Sequence, residues 1–174
     1  MRRILVVFLL ALLATPPTAP ADTIEQIGNV GAVALPVAGG VVAAIRKDGK
    51  GALQLTEAYA TTMAVVYILK PLVNEQRPDG GSQSFPSGHS ASAFAGAAFL
   101  QMRYGWAYGA PAYALATFVA YSRVEAKRHW TKDVVAGGVI GIASNLIFTR
   151  KYQKLAVQPV PQGRGAAVTI QIRW

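Results

Sequence analysis

The stretch SGHSASAFAGAAFLQM, residues 87–102, holds no Asp, Glu, Lys or Arg, is small-residue throughout, and is closed by Arg103. Such a stretch reads as a helix of a bundle, where Gly is tolerated as it is in membrane helices. Working outward, the same pattern recurs. Gln26–Ile45, Tyr104–Ser122 and Val134–Thr149 are uncharged, and Ala52–Leu69 is mostly apolar with Glu57 inside, ending at Lys70-Pro71. Between them lie the turn Arg46-Lys47-Asp48-Gly49-Lys50, a polar loop from Asn74 to Phe85, and a charged segment from Arg123 to Asp133. This punctuation predicts an all-α bundle of about five helices, each of roughly 16 to 20 residues.

Composition sets the surroundings. The chain has 174 residues, enough for one domain, with 52% hydrophobic and 14% charged residues. A soluble domain usually carries about 25% charged residues, so little is available to cover a water-facing surface. The helices are therefore expected to be embedded in a membrane, and general disorder is excluded. A mean hydropathy of +0.31 is modest for several spans, which keeps a soluble periplasmic bundle as the alternative. The absence of cysteine excludes disulfides, thiolate catalysis and Cys-based zinc sites. The net charge of +9 suits an anionic partner: nucleic acid, anionic lipid or a phosphorylated substrate.

Both ends differ from the middle. Met1-Arg2-Arg3, the apolar run Ile4–Ala14 and the small-residue site Ala19-Pro20-Ala21 form the pattern of an export signal. The alternative is an uncleaved anchor, although a span needs about twenty residues. At the other end Val168, Ile170, Ile172 and Trp174 alternate with polar residues, and Leu155–Val160 can pair with them as a short β-hairpin. The expected organisation is a signal segment over 1–21, a helical domain over 22–154 and a tail over 155–174.

Crossing at each uncharged stretch places Arg46, Lys47, Lys50, Arg103, Arg150, Lys151 and Lys154 on the cytoplasmic side, as positive-inside bias expects. The other side then receives three clusters. They are Lys70 to Arg77-Pro78, Pro86-Ser87-Gly88-His89, and Ser122-Arg123 followed by His129 and Asp133. Each has a bland reading alone: Lys70 and Arg77 as interfacial anchors, Ser87 as a helix cap, His129 and Asp133 as a helical pair. Their joint arrival on one face argues otherwise, since both histidines of the chain are among them.

Together they have the chemistry of a reactive phosphate pocket. Lys70, Arg77 and Arg123 supply positive charge and forked donors. Ser87 and Gly88 open a helix whose free N–H groups and dipole favour an anion. His129 and Asp133 are neighbours on one face if their segment is helical. A carboxylate on one imidazole nitrogen would leave the other free to attack, with His89 as general acid.

These residues resemble the three signature motifs of the type 2 phosphatidic acid phosphatase superfamily, at eleven positions between 70 and 133. The resemblance implies a helical bundle and metal-independent phosphate hydrolysis through a phosphohistidine, with no cofactor. By it, His129 is the nucleophile, Asp133 its orienting partner and His89 the acid and later the base. Lys70, Arg77, Ser87, Gly88 and Arg123 hold the phosphoryl oxygens.

The spans and export signal favour a lipid phosphate as substrate, at a bacterial inner membrane with the site facing the periplasm. The runners-up are a vanadium haloperoxidase, a soluble acid phosphatase and an inert phosphate-binding membrane protein. Nucleic acid is disfavoured, because the basic residues sit at helix ends rather than on a stripe with aromatics. The chain should therefore place residue 83 outside the cytoplasm and residue 49 inside. A cysteine introduced at Gln83 should react with an impermeant thiol reagent in intact cells, and one at Gly49 should not. Labelling at Gly49 alone would reverse the topology.

Overall fold

Each uncharged stretch is a helix in the structure, a computed structural model that describes residues 21–162 and 165–173. The expected signal segment lies outside the described residues, apart from Ala21. The helices are α1 (Ala21–Ile45), α2 (Gly49–Val73), α3 (Gly88–Tyr104), α4 (Trp106–Glu125) and α5 (Thr131–Phe148). Several run past their uncharged cores. Asp22 and Glu25 begin α1, where carboxylates meet the positive end of the helix dipole. The expected end of α2 at Lys70-Pro71 is displaced to Val73. Pro71 removes one N–H donor from the helix, and Asn74, left-handed at φ 44° and ψ 41°, closes it by donating its N–H to the Lys70 carbonyl.

Helix α3 packs against all four of the others. Its small residues make this possible: Ala91, Ala93, Ala95, Ala97 and Ala98 are buried, as is Phe99. Along α5, Gly137 and Gly141 face the α3 backbone. A Cβ on Gly141 would sit 2.5 Å from the Ala91 carbonyl oxygen and 2.7 Å from the Ala95 nitrogen, and one on Gly137 would meet the Ser87 carbonyl. Gly96 makes the corresponding approach to α1 at Leu35 and Pro36. Spacing of small residues by four lets helix backbones touch, so dispersion and polar contacts replace large apolar side chains.

The packing departs from that of a water-soluble bundle, with polar groups among the buried apolar ones and apolar side chains outside. Ser90, Ser92, Thr62, Asn145 and Thr149 are buried, whereas Val30, Val33, Val37, Val41, Val139 and Leu146 are exposed. Inside, Asn145 donates Nδ2 to the Ala95 and Gly141 carbonyls, each at 3.0 Å. Among the described residues three helices are long and apolar enough to cross a membrane: Asp22–Ile45, Gly49–Val73 and Thr131–Phe148. Outward apolar stripes on such helices suit acyl chains and would be a liability in water.

The end carrying the α1–α2 turn is tied by one buried ion pair. Arg103 Nη2 lies 2.5 Å from Asp48 Oδ1 and Nε 2.7 Å from Oδ2, while Tyr104 donates its hydroxyl to Oδ2 at 2.9 Å. Burial pushes the Asp48 carboxyl up, but hydrogen bonds from Arg103, the Gly51 N–H and Tyr104 outweigh it and hold the group below the usual carboxylate range. Arg103 also donates Nη1 to the Arg150 carbonyl at 2.7 Å, which fastens the chain after α5.

Replacing Gly141 by Leu should force α5 away from α3 and destabilise the protein by about 2–3 kcal/mol or more. At Gly49 nothing lies within 4 Å of an added Cβ, so Gly49→Ala should change stability by no more than about 0.5 kcal/mol. Thermal unfolding of the detergent-solubilised variants measures both.

Candidate active site

The three sequence clusters meet at the end of the bundle opposite Asp48. Lys70 is on the last turn of α2, His89 on the first turn of α3, Arg123 on the last turn of α4, and Asp133 on the first turn of α5. They surround a cavity of about 410 Å³ whose lining includes Lys70, Arg77, Gly88, His89, Arg123 and His129. One wall is apolar, formed by Val33, Met63, Val66 and Tyr67 of α1 and α2.

His129 and Asp133 come together, though not along a helical face. His129 precedes α5, whose N-cap is Trp130, and Asp133 is the third helical residue. The carboxylate turns back as a cap, accepting the Trp130 backbone N–H at Oδ2 over 2.9 Å. The same oxygen accepts the Ser84 hydroxyl at 2.5 Å and lies 3.6 Å from His129 Nδ1. Ser84 Oγ is itself 3.5 Å from that nitrogen. Asp133 is wholly buried, and its Oδ1 has no hydrogen-bond partner among the described residues.

Helix α3 begins against this cap. Ser87 accepts the Ser90 N–H on its side-chain oxygen at 3.4 Å, but its own N–H donates to the Asp133 carbonyl at 3.0 Å. The expectation that Ser87 offers a free N–H to an anion is therefore corrected. The available helix-start donors are those after it, on Gly88 and His89, which have no carbonyl one turn earlier in the helix.

The cations are oriented by oxygen acceptors. Lys70 Nζ donates to the Gln83 carbonyl at 2.7 Å and Arg77 Nε to the Ser82 carbonyl at 3.0 Å, so the 74–87 loop folds back over both. Arg123 is almost completely buried. Its Nε donates to Ser122 Oγ at 3.0 Å, Nη1 to Asn29 Oδ1 at 2.7 Å and Nη2 to the Glu25 carbonyl at 2.6 Å. Arg128 bridges Glu25 at 2.9 Å and Asp79 at 3.0 Å, and Lys132 pairs with Glu75 at 2.5 Å.

Ser84, Glu25 and Asn29 were not indicated by the motif spacing. Ser84 looks like one more loop serine. Glu25 and Asn29, four apart at the start of an apolar helix, did carry a signal: two polar groups on one side of a lipid-facing element.

Burial holds the His129 imidazole well below the ordinary histidine value, to about 4. The charges of Lys70 and Arg77 act in the same direction, and the Asp133 carboxylate opposes them. The ring is thus neutral at pH 7, with Nδ1 toward the carboxylate and the ring on the cavity wall. Among the described residues no group of three His, Cys, Asp or Glu is placed to hold a metal ion.

A model of the PAP2 superfamily matches residues 79–156. The chain is 31% identical over 161 residues to the Lipid A 4'-phosphatase of Helicobacter pylori, spanning 86% of this chain and 81% of that protein. It is 44% identical over 71 residues to the Lipid A 1-phosphatase of Porphyromonas gingivalis, a match to 38% of this chain and 16% of that protein. Among solved structures, Aquifex aeolicus LpxE superposes with a TM-score of 0.66 at 25% identity, covering 82% of this chain and 92% of that one. The transmembrane PAP2 type phosphatidylglycerolphosphate phosphatase of Bacillus subtilis gives 0.60 at 26% identity, with coverages of 80% and 79%. The chain belongs to the PAP2 superfamily, as a membrane-associated phosphatase.

The neighbouring charge of Lys70 makes a direct test of the site's electrostatics. Lys70→Met should raise the His129 pKa, because one cation fewer opposes the imidazolium. Histidine-selective NMR titration of the two proteins reads the shift.

Proposed function

We propose that this phosphatase removes phosphate from a membrane lipid, with lipid A phosphates as the first candidates, through a phosphohistidine on His129. One observation carries the reading: His89, His129, Lys70, Arg77 and Arg123 line a single cavity whose other wall is apolar. A phosphate fits the first group and the body of a lipid the second. The lipid A phosphatases among its relatives support that choice of substrate.

In this mechanism Asp133 and Ser84 hold His129 with Nδ1 inward, and Nε2 attacks phosphorus. The Nε2–P bond forms while the bond from phosphorus to the ester oxygen breaks, and His89 delivers a proton to that oxygen. His89 then takes a proton from water, whose oxygen displaces Nε2 and releases inorganic phosphate. Lys70, Arg77, Arg123 and the Gly88 and His89 N–H groups stabilise the charge on the equatorial oxygens. A wall of cations disfavours a divalent metal, so the reaction is metal-independent.

The same reading takes residues 1–21 as an export signal or anchor, 22–154 as the phosphatase domain and 155–174 as a hairpin tail. The catalytic end faces the periplasm. Lys70, Arg77 and Arg123 are taken up by the phosphate site in this reading, so at this end only Lys127, Arg128 and Lys132 count against that orientation under positive-inside bias.

Phosphate release measured over lipid A, phosphatidylglycerophosphate and soluble phosphomonoesters tests the substrate class. Release from lipids, persisting in EDTA and competitively inhibited by vanadate, is expected. His129→Ala should lower it by about 10³-fold or more while the protein remains folded. Turnover of soluble esters alone would remove the lipid assignment, and loss of rate on chelation would replace the mechanism. Halogenation with vanadate, bromide and peroxide, without phosphate release, would favour a haloperoxidase.

A further inference from the structure

Helix α1 contributes directly to the phosphate cradle, although the PAP2 match begins only at residue 79. Two of its residues, Asn29 and Glu25, line the cavity and touch Arg123. Asn29 Oδ1 accepts Nη1 at 2.7 Å and the Glu25 carbonyl accepts Nη2 at 2.6 Å. The Glu25 carboxylate is a different kind of neighbour. It lies 3.8 Å from Arg123 Nη1 and 2.9 Å from Arg128 Nε. Close packing fixes the geometry, because any Cβ on Gly28 would collide with Ser122 and Arg123.

A buried guanidinium needs acceptors on its outer edge if its remaining N–H groups are to point at a ligand. A neutral acceptor orients it without cancelling its charge. A carboxylate orients it too, but weakens its attraction for a second anion. The two α1 residues divide these effects between them.

We propose that Asn29 and Glu25 are positioning residues that set the phosphate affinity of the site through Arg123. Asn29 aims the guanidinium as a neutral acceptor, and the Glu25 carboxylate tempers its charge as an internal counter-ion. This rests on the phosphatase reading above. The choice of an amide at position 29 follows: a carboxylate in the same place would hold Arg123 equally well and blunt it.

The test uses the full chain in detergent, with orthovanadate binding and steady-state phosphate release as separate readouts. Asn29→Ala should weaken vanadate binding and raise KM by roughly tenfold, with a smaller change in kcat. Asn29→Asp should be worse than Asn29→Ala on both measures. A purely structural role ranks them the other way, because Asp preserves the acceptor and adds an ion pair. Glu25→Gln, which retains the shape, should bind vanadate several-fold more tightly than wild type. Asn29→Asp matching or exceeding Asn29→Ala in affinity, or weaker vanadate binding by Glu25→Gln, overturns the inference while leaving the phosphatase intact. A wild type that neither releases phosphate nor binds vanadate overturns both.

Discussion

The contact between α3 and α5 is the constraint on which the site depends. Gly137 and Gly141 let the α5 backbone rest on that of α3 near Ser87, Ala91 and Ala95. At that separation the two helix starts abut, and the Ser87 N–H reaches the Asp133 carbonyl. Through this junction the segment with His89 and the segment with His129 share one cavity. Any side chain between the helices would part the two starts before it disturbed the fold elsewhere.

A second constraint is electrostatic. Three cations converge on a partly buried space, where unscreened repulsion would oppose folding. The structure answers with local acceptors rather than with carboxylates at each cation. Lys70 and Arg77 rest on loop carbonyls, and Arg123 rests on a carbonyl, an amide and a hydroxyl. Carboxylates pair chiefly with cations beside the core of the site, Arg128 and Lys132. The result is a site kept positive by design of its dipoles, and a neutral His129 beside it.

Much of this was legible in the sequence because charge marked the helix ends. Four uncharged stretches and one interrupted only by Glu57 became five helices, and counting crossings brought Lys70, His89, Arg123 and His129 to one end. The His129–Asp133 spacing pointed to a real pair for an incomplete reason: the carboxylate turns back as an N-cap, so the pair does not require a continuous helix. What the sequence concealed depends on tertiary contact. Ser84 matters only because the 74–87 loop folds onto α5, and Ser87 loses its N–H only because α5 arrives beside it. Pro71 suggested a stop that comes instead at Val73, closed by the left-handed Asn74, and the polar pair Glu25 and Asn29 marked a face of α1 without identifying Arg123 as its partner.

The alanine-rich centre of α3 also has an entropic consequence. Ala91, Ala93, Ala95, Gly96, Ala97 and Ala98 have no side-chain rotamers to lose on burial, whereas a Leu or Met in each place would surrender conformational freedom. At these positions the interior is ordered without freezing flexible side chains, and the close fit comes from backbone contact. Such a centre has few alternative packings. The helix that carries His89 is held like a rod in a close sleeve.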